Sequence, residues 1–102
     1  MAYRYTVQYR LIRTFRHRGL KRLFDGDDPR KLRADQTERI ALALADLDSA
    51  DGLRDLDLPG YRLHKLKGDL KDFWSIWISA NWRIIFRFDG GDAYDVDLVD
   101  YH

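Results

Sequence analysis

The segment FWSIWISANWRIIFRFDGGDAYDVDLV, residues 73–99, establishes the class of fold. Three runs within it are predicted to be strands: 73–79, 82–88 and 93–99. The four residues Asp89-Gly90-Gly91-Asp92 predict a tight hairpin, because glycine adopts the positive φ angles that a two-residue turn requires. With one more strand predicted over residues 61–66, the short connections indicate an antiparallel meander.

The two faces of the predicted sheet differ in character. One face of the run 82–88 is fully apolar and consists of Trp82, Ile84, Phe86 and Phe88. The opposite face mixes charged with apolar residues and consists of Arg83, Ile85 and Arg87. The apolar set of the last strand is Tyr94, Val96 and Leu98. We expect helices to cover the apolar face and the other, concave face to stay partly open, where a site would lie.

Two helices are predicted ahead of the sheet. A short strand over residues 11–15 and a helix over about 17–24 come first. The clearer helix is capped by Asp35, with Glu38 three residues later in a capping-box-like pair, and it ends at Asp51-Gly52. Its apolar stripe follows the i, i+3, i+4, i+7 rule and consists of Ile40, Ala43, Leu44 and Leu47. The pattern predicts an α+β fold with N-terminal helices packed on one face of an antiparallel β-sheet.

Length and composition restrict the class of protein. A chain of 102 residues suits one domain, and the absence of cysteine excludes disulfides, thiolate nucleophiles and thiolate zinc sites. No apolar run approaches the ~20 residues that span a bilayer, and no signal-type stretch opens the chain. The histidines lack metal-ligand spacing and no phosphate-binding glycine loop occurs. We therefore expect a cytoplasmic protein with no membrane contact, no bound metal and no cofactor.

The net charge of +1 conceals an uneven distribution. Residues 1–33 hold ten Lys and Arg against three Asp, whereas residues 89–102 hold five Asp and no Lys or Arg. One interpretation is a basic face that meets nucleic-acid phosphates while the overall charge stays near zero. The other is a solvated helix surface.

The last three residues, Asp100, Tyr101 and His102, are the most informative for function. They follow a predicted strand, which would hold a carboxylate, a phenol and an imidazole in place instead of leaving them in a frayed end. Such groups are suited to moving protons, since an imidazole titrates near neutral pH, and the phenol ring could also stack on an unpaired base. The plainer interpretations are an exposed terminal histidine and a tyrosine packed against a helix.

Two further candidates are His64 and Lys67, beside the predicted strand 61–66. Their spacing puts the two side chains on opposite faces of a regular strand, so they converge only if the strand bends or ends near Gly68. Otherwise they form a solvated strand end.

Arg83 is the candidate phosphate ligand on the open face. Its planar guanidinium matches the geometry of phosphate oxygens. The alternative is a cross-strand ion pair with an aspartate such as Asp95 or Asp97.

Taken together, these segments resemble a known family. They are Ile12-Arg13-Thr14-Phe15, RGLKRLF at 18–24, LPGYRLHKLKG at 58–68, Trp74-Ser75-Ile76, Asn81-Trp82-Arg83-Ile84, Gly91-Asp92-Ala93-Tyr94 and the tail 100–102. In this order they resemble the HigB toxins of the RelE/ParE superfamily, also called plasmid-maintenance killer proteins. The resemblance covers residues 11–102.

The resemblance implies a microbial-RNase-like fold and a toxin that enters the ribosomal A site and cuts the mRNA there. It also implies a HigA-type helix-turn-helix antitoxin that blocks the toxin, with operator DNA bound only indirectly, through the antitoxin. Carried over by position, the family's active-site residues fall on His64, Lys67, Asn81, Arg83, Asp100, Tyr101 and His102.

The chain departs from the family pattern at two places. Lys65 stands where the family usually has proline, which adds a charge beside the site. Residues 1–10 have no counterpart in typical members, so the chain divides into an N-terminal extension, 1–10, and a toxin domain, 11–102. An upstream start, a cloning remnant and a real extra strand all stay open for the extension.

The resemblance leads to a specific chemical hypothesis. His102 transfers protons and Asp100 orients it or shares the work, with His64 as a second proton-transfer candidate. Lys67 and Arg83 stabilise the phosphate oxygens. Tyr101 positions or protonates the substrate, and Asn81 helps to hold it. Five basic residues are expected to contact ribosomal RNA: Arg13, Arg16, Arg18, Lys21 and Arg22. The alternatives are a ParE-like toxin that binds DNA gyrase without cutting RNA, and an inactive antitoxin-binding module.

Overall fold

Two helices precede a four-stranded antiparallel sheet in the structure, a computed structural model that describes residues 11–101. The helices are α1 (Arg18–Gly26) and α2 (Thr37–Ser49). The strands are β1 (His64–Lys65), β2 (Trp74–Ser79), β3 (Trp82–Asp89) and β4 (Asp92–Asp100). The predictions made for residues 1–10 and for His102 lie outside the described residues.

The sheet is the predicted antiparallel meander, with its strands in the order β1-β2-β3-β4. The hairpin between β3 and β4 is also confirmed, since Gly90 and Gly91 have φ angles of 61° and 88°, which favour glycine. Strand β1 is shorter than predicted because Pro59–Tyr61 forms a 3-10 turn and Arg62 takes a left-handed φ of 48°. Across residues 11–101, no helix has the length and apolar character needed to cross a membrane.

The predicted strand at residues 11–15 lies along the outer edge of β4 without forming a regular strand. It makes two isolated parallel bridges, from Ile12 to Ala93 and from Phe15 to Val96. The Arg13 N–H donates to the Ala93 carbonyl at 2.7 Å. The segment therefore covers most of an edge that would otherwise present unpaired backbone groups.

The main core lies between the helices and one face of the sheet, as predicted. The α2 stripe is wholly buried and consists of Ile40, Ala43, Leu44 and Leu47. It packs with Ile84 and Phe86 of β3, which are fully buried, while Trp82 and Phe88 are partly buried at the margin of the same core. Burial of such side chains supplies most of the stabilisation, roughly 1.5–3 kcal/mol for each fully buried one.

The predicted cap of α2 is wrong. The N-cap residue is Gln36 and no side chain caps the helix, whereas Asp35 pairs with Arg33, with 2.8 Å between Nη2 and Oδ2. The reason is that Gln36 is buried, and its side-chain amide donates to Ser79 Oγ at 2.9 Å. A buried polar group needs a partner, and this tie to β2 fixes where the helix begins.

The predicted apolar set of β4 is wrong at one position, Tyr94. A β-bulge lies at Asp95, whose φ is 55°, because Tyr94 pairs with Arg87 while Asp97 pairs with Ile85. One extra residue reverses the side-chain alternation before it. As a result Ala93 is buried in the core, and Tyr94 lies on the opposite face with its ring centroid 5.6 Å from the Arg87 guanidinium carbon.

Candidate active site on the open face of the sheet

The face of the sheet away from the helices carries a second, small hydrophobic cluster. Its buried members are Leu66, Phe73 and Ile85, and Leu70, Val99 and Tyr101 pack against them. We call these six residues the floor cluster. It gives the open face a rigid apolar base, on which polar side chains of β3 and of the chain's carboxyl end are placed.

Arg83 lies on this face, directly opposite Trp77 of β2 and Val99 of β4. Its Nε and Nη1 atoms are buried, and neither has a hydrogen-bond partner within residues 11–101. The guanidinium carbon is 5.9 Å from the centroid of the Tyr101 ring. A buried donor without a partner costs free energy, so an anionic ligand that reached these atoms would be bound favourably.

The cross-strand ion pair that the sequence left open for Arg83 belongs to another arginine. Arg87 Nε contacts Asp95 Oδ2 at 2.8 Å. Asp97 Oδ1 accepts a hydrogen bond from the Leu98 N–H at 2.9 Å. In the described part of the chain, neither aspartate forms an ion pair with Arg83.

Tyr101 is anchored to the turn between β2 and β3. Its N–H donates to the Asn81 carbonyl at 2.8 Å, and its ring packs on the floor cluster. The alternative interpretation, packing against a helix, is therefore incorrect, because the floor cluster lies on the other side of the sheet. The backbone bond joins Asn81 and Tyr101, two of the residues carried over from the family.

Asp100 and Tyr101 leave β4 on opposite faces of the sheet. Asp100 pairs in register with Trp82, whose ring packs against the helix-side core. The pKa of the Arg33 guanidinium is raised first by its hydrogen bond to Asp35, then by that carboxylate's charge and lastly by the charge of Asp100. Asp100 is thus close enough to the helix side to act on Arg33, although its neighbour Tyr101 faces Arg83.

The strand that carries His64 ends before Lys67, which is the condition under which the two side chains could converge. The strand ends at Lys65, and Gly68 turns the chain with a φ of 67°. His64 pairs in register with Ser75, and Leu66, which comes between His64 and Lys67 in the sequence, belongs to the floor cluster. Both side chains are exposed, and within residues 11–101 neither has a hydrogen bond or ion pair, so both are available to a ligand.

The basic patch predicted to meet ribosomal RNA is partly paired with carboxylates. Three of its five members pair with nearby carboxylates: Arg13 with Asp92, Lys21 with Asp25 and Arg22 with Asp28. Arg16 instead lies over the Phe73 ring, with 5.0 Å from guanidinium carbon to centroid. Arg18 lines a groove with Lys21 and Arg22. The open face therefore gains one cation, Arg16, that the sequence had assigned to a separate surface.

Trp77 has no role in the predictions made from the sequence, although it is paired with Arg83 across the β2–β3 ladder. The signal was present, because Trp77 alternates with Ile76 and Ile78 and so belongs to the open face. No three His, Cys, Asp or Glu side chains are grouped as a metal site anywhere in residues 11–101.

Comparison with known proteins gives two matches. The family model for the HigB-like toxin, described as the RelE-like toxin of type II toxin-antitoxin system HigB, matches residues 13–102. The chain is also 42% identical over 92 residues to a protein named Endoribonuclease HigB from Proteus vulgaris, an alignment that covers 90% of this chain and 100% of that relative.

Proposed function

The chain belongs to the HigB-like toxin family of type II toxin–antitoxin systems, and we propose that it is an endoribonuclease that cuts mRNA in the ribosomal A site. The name of its curated relative, Endoribonuclease HigB, supports the ribonuclease activity. One structural observation carries the proposal most directly: Arg83 offers buried donor nitrogens without a partner in the described chain, beside Tyr101 on the open face.

The proposed reaction uses a nucleophile that RNA itself supplies. The 2′-hydroxyl oxygen bonds to the adjacent phosphorus while the bond from phosphorus to the 5′-oxygen breaks. The products are a 2′,3′-cyclic phosphate and a free 5′-hydroxyl. One proton leaves the 2′-hydroxyl and one is delivered to the 5′-oxygen, so the protein must accept one proton, donate another and stabilise negative charge on phosphorus.

The roles proposed for the cations follow from their positions. Arg83 donates to the phosphate oxygens, because its fork geometry suits two oxygens at once. Lys67 adds a second positive charge from the end of the exposed loop after β1. With an internal nucleophile and two side-chain cations, the chemistry proposed here requires no metal ion.

The roles proposed for the proton-transferring groups rest on the family resemblance. His102, outside the described residues, exchanges protons with the 2′-hydroxyl or the leaving oxygen, and His64 is the second candidate. Tyr101 positions or protonates the substrate, and Asn81 holds it. Asp100 orients His102 or shares its proton transfer.

The proposed partners follow from membership of a toxin–antitoxin family. The antitoxin is of the HigA helix-turn-helix type, and operator DNA is bound through it alone. The ribosome is the second partner, which implies a cytoplasmic location. Of the residues first assigned to ribosomal RNA, Arg18 retains that role most plainly, since carboxylates pair with Arg13, Lys21 and Arg22, and Arg16 lies over Phe73 on the open face.

Mapping of 5′ ends after single-turnover reactions on programmed ribosomes tests the proposal. Cuts within the A-site codon, absent from the same mRNA without ribosomes, are expected. Double-strand DNA breaks in cells without RNA cuts would favour the gyrase-binding alternative, and neither effect would favour an inactive antitoxin-binding module.

A further inference from the structure

Trp77 lies beside the proposed cleavage site in a position that suits base binding. It is directly opposite Arg83 in the antiparallel β2–β3 ladder, so both side chains lie on the open face. Residues paired in this way have Cβ atoms about 4.5–5.5 Å apart. A partly exposed indole thus lies on the strand adjacent to that of the cation proposed to hold phosphate.

The indole ring is fixed by contacts at two sides. Trp77 Nε1 donates to the Ala80 carbonyl at 2.8 Å. Arg39 Nη2 donates to the Trp77 carbonyl at 3.3 Å and to the Gly60 carbonyl at 2.7 Å, and its guanidinium carbon lies 5.4 Å from the indole centroid. A ring held in this way loses little conformational entropy when a ligand stacks on it.

Arg62 completes a stacked pair on the solvent side. Its guanidinium carbon lies 4.3 Å from the Trp77 ring, well within the range of a cation–π contact. The residue is exposed, and no carboxylate within residues 11–101 pairs with it. Arg62 and Trp77 together form what we call the Arg62–Trp77 platform. It is a flat, cationic surface that contains none of the residues proposed to act in catalysis or in phosphate binding.

We propose that the Arg62–Trp77 platform is a nucleobase subsite. An unpaired RNA base adjacent to the phosphate bound by Arg83 stacks on it, since aromatic rings and guanidinium planes are the surfaces that hold splayed bases. The inference rests on the proposed function as an RNA-cutting protein and adds to it the residues that hold a base. Because every base has a π-face, the subsite adds affinity without selecting a sequence.

Equilibrium binding of an uncleavable RNA tests the subsite apart from the chemistry. The probe is a fluorescein-labelled single-stranded hexaribonucleotide with 2′-O-methyl sugars, followed by anisotropy. Trp77→Leu is expected to weaken binding by roughly five- to 150-fold, the effect of one stacked base, and Trp77→Phe to retain most of the affinity. Arg62→Lys keeps the positive charge but loses the planar guanidinium group, so it is also expected to weaken binding.

An abasic scan of the hexanucleotide gives the sharper result. Removing one particular base is expected to weaken binding to the wild-type protein but to add no further loss in Trp77→Leu, because the two changes remove the same contact. Arg54→Lys, the same change at another exposed arginine away from β2, serves as the matched control and is expected to bind as wild type. Arg62→Lys changes only an exposed side chain, so it keeps the test valid if Trp77→Leu does not fold.

Any of three results would overturn the subsite. The first is that both Trp77→Leu and Arg62→Lys bind the RNA with wild-type affinity, and the second is that removing each base weakens binding equally in the wild-type and Trp77→Leu proteins. The third is that the wild-type protein does not bind the RNA. Ribosomal cleavage is measured separately. If mRNA cleavage is normal and any of these three results is found, the subsite is refuted but the proposed function is not. If RNA binding depends on the platform but the protein cuts no mRNA, the proposed function is refuted but the subsite is not.

Discussion

The guanidinium carbon of Arg83 lies 5.9 Å from the centroid of the Tyr101 ring. Arg83 is in the interior of β3, whereas Tyr101 follows the end of β4, and the bond from the Tyr101 N–H to the Asn81 carbonyl joins that end to the β2–β3 turn. The carboxyl end of the chain is therefore held against the central strands. The same part of the sheet thus positions the arginine proposed to bind phosphate and the Tyr101 side chain, as a site that needs fixed geometry requires.

Substitutions of Tyr101 separate its packing from its hydroxyl group. Tyr101→Phe keeps the ring on the floor cluster, so we expect its free energy of unfolding to match that of the wild type. Tyr101→Ala removes the ring and is expected to lower that free energy by about 1–3 kcal/mol, less than for a fully buried ring. Urea unfolding measures both. Equal stability of Tyr101→Ala and the wild type would contradict the packing found for this ring.

Deletion of His102 is expected to abolish mRNA cleavage and to leave the fold and antitoxin binding intact. The proposed reaction loses its proton-transferring imidazole, whereas every described member of the floor cluster and of the main core is retained. Thermal unfolding and co-purification with the antitoxin provide the controls. Cleavage by the truncated protein at the wild-type rate would assign proton transfer to another group.

Tyr61 is expected to make stability depend on pH in the alkaline range. Burial raises the pKa of its phenol, and the hydrogen bond that Tyr61 donates to Asp46 adds to the rise. The folded state then holds the proton more tightly than the unfolded chain, whose tyrosines ionise near pH ~10. The stabilisation is complete below that pH and is lost as pH rises toward the folded pKa.

Denaturation curves at increasing pH, with Tyr61→Phe as the comparison, measure this dependence. The wild-type protein is expected to lose stability above pH ~10 more steeply than Tyr61→Phe, which has no proton to lose there. Parallel curves for the two proteins would show that Tyr61 ionises normally in the folded state.

The protein is expected to be less stable with alanine at position 80 than with glycine there. Its φ is 50°, in the left-handed region that costs a residue with a Cβ atom. Ala80→Gly is therefore expected to raise the free energy of unfolding by roughly 0.5–1 kcal/mol. The matched control is Ala45→Gly, another exposed alanine but within α2, which should lower that free energy by about 1 kcal/mol. A loss of stability in both variants would contradict the turn geometry.

The sequence pattern predicted the sheet order, the Gly90-Gly91 hairpin and the buried stripe of α2, because periodicity and turn chemistry are local signals. It failed at Asp95, where a bulge changes which face Tyr94 occupies. It failed again at Gln36, whose burial and contact with Ser79 fix the start of α2. Both features depend on tertiary pairing, which a single chain's spacing does not encode.

In the candidate site too, some features follow from the sequence pattern and others depend on tertiary contacts. Arg83 on the open face follows from strand alternation, and its nearness to Tyr101 follows from the meander. The separation of Asp100 from Tyr101 also follows from alternation, although adjacency in the sequence suggested one joint site. The ion pairs that neutralise Arg13, Lys21 and Arg22 depend on carboxylates at other positions, so the basic run at the start of the chain overstated the charge available to RNA.

Single-turnover cleavage of mRNA on programmed ribosomes by Arg83→Ala tests whether the open face of the sheet is the nuclease site. The matched control is Arg87→Ala, on the same strand and face, whose charge is already paired with Asp95. We predict that the rate for Arg83→Ala falls by about 10²- to 10³-fold, the loss expected on removing one transition-state donor, while Arg87→Ala stays within a few-fold of wild type. A loss below tenfold for Arg83→Ala would contradict the claim that the open face of the sheet is the nuclease site.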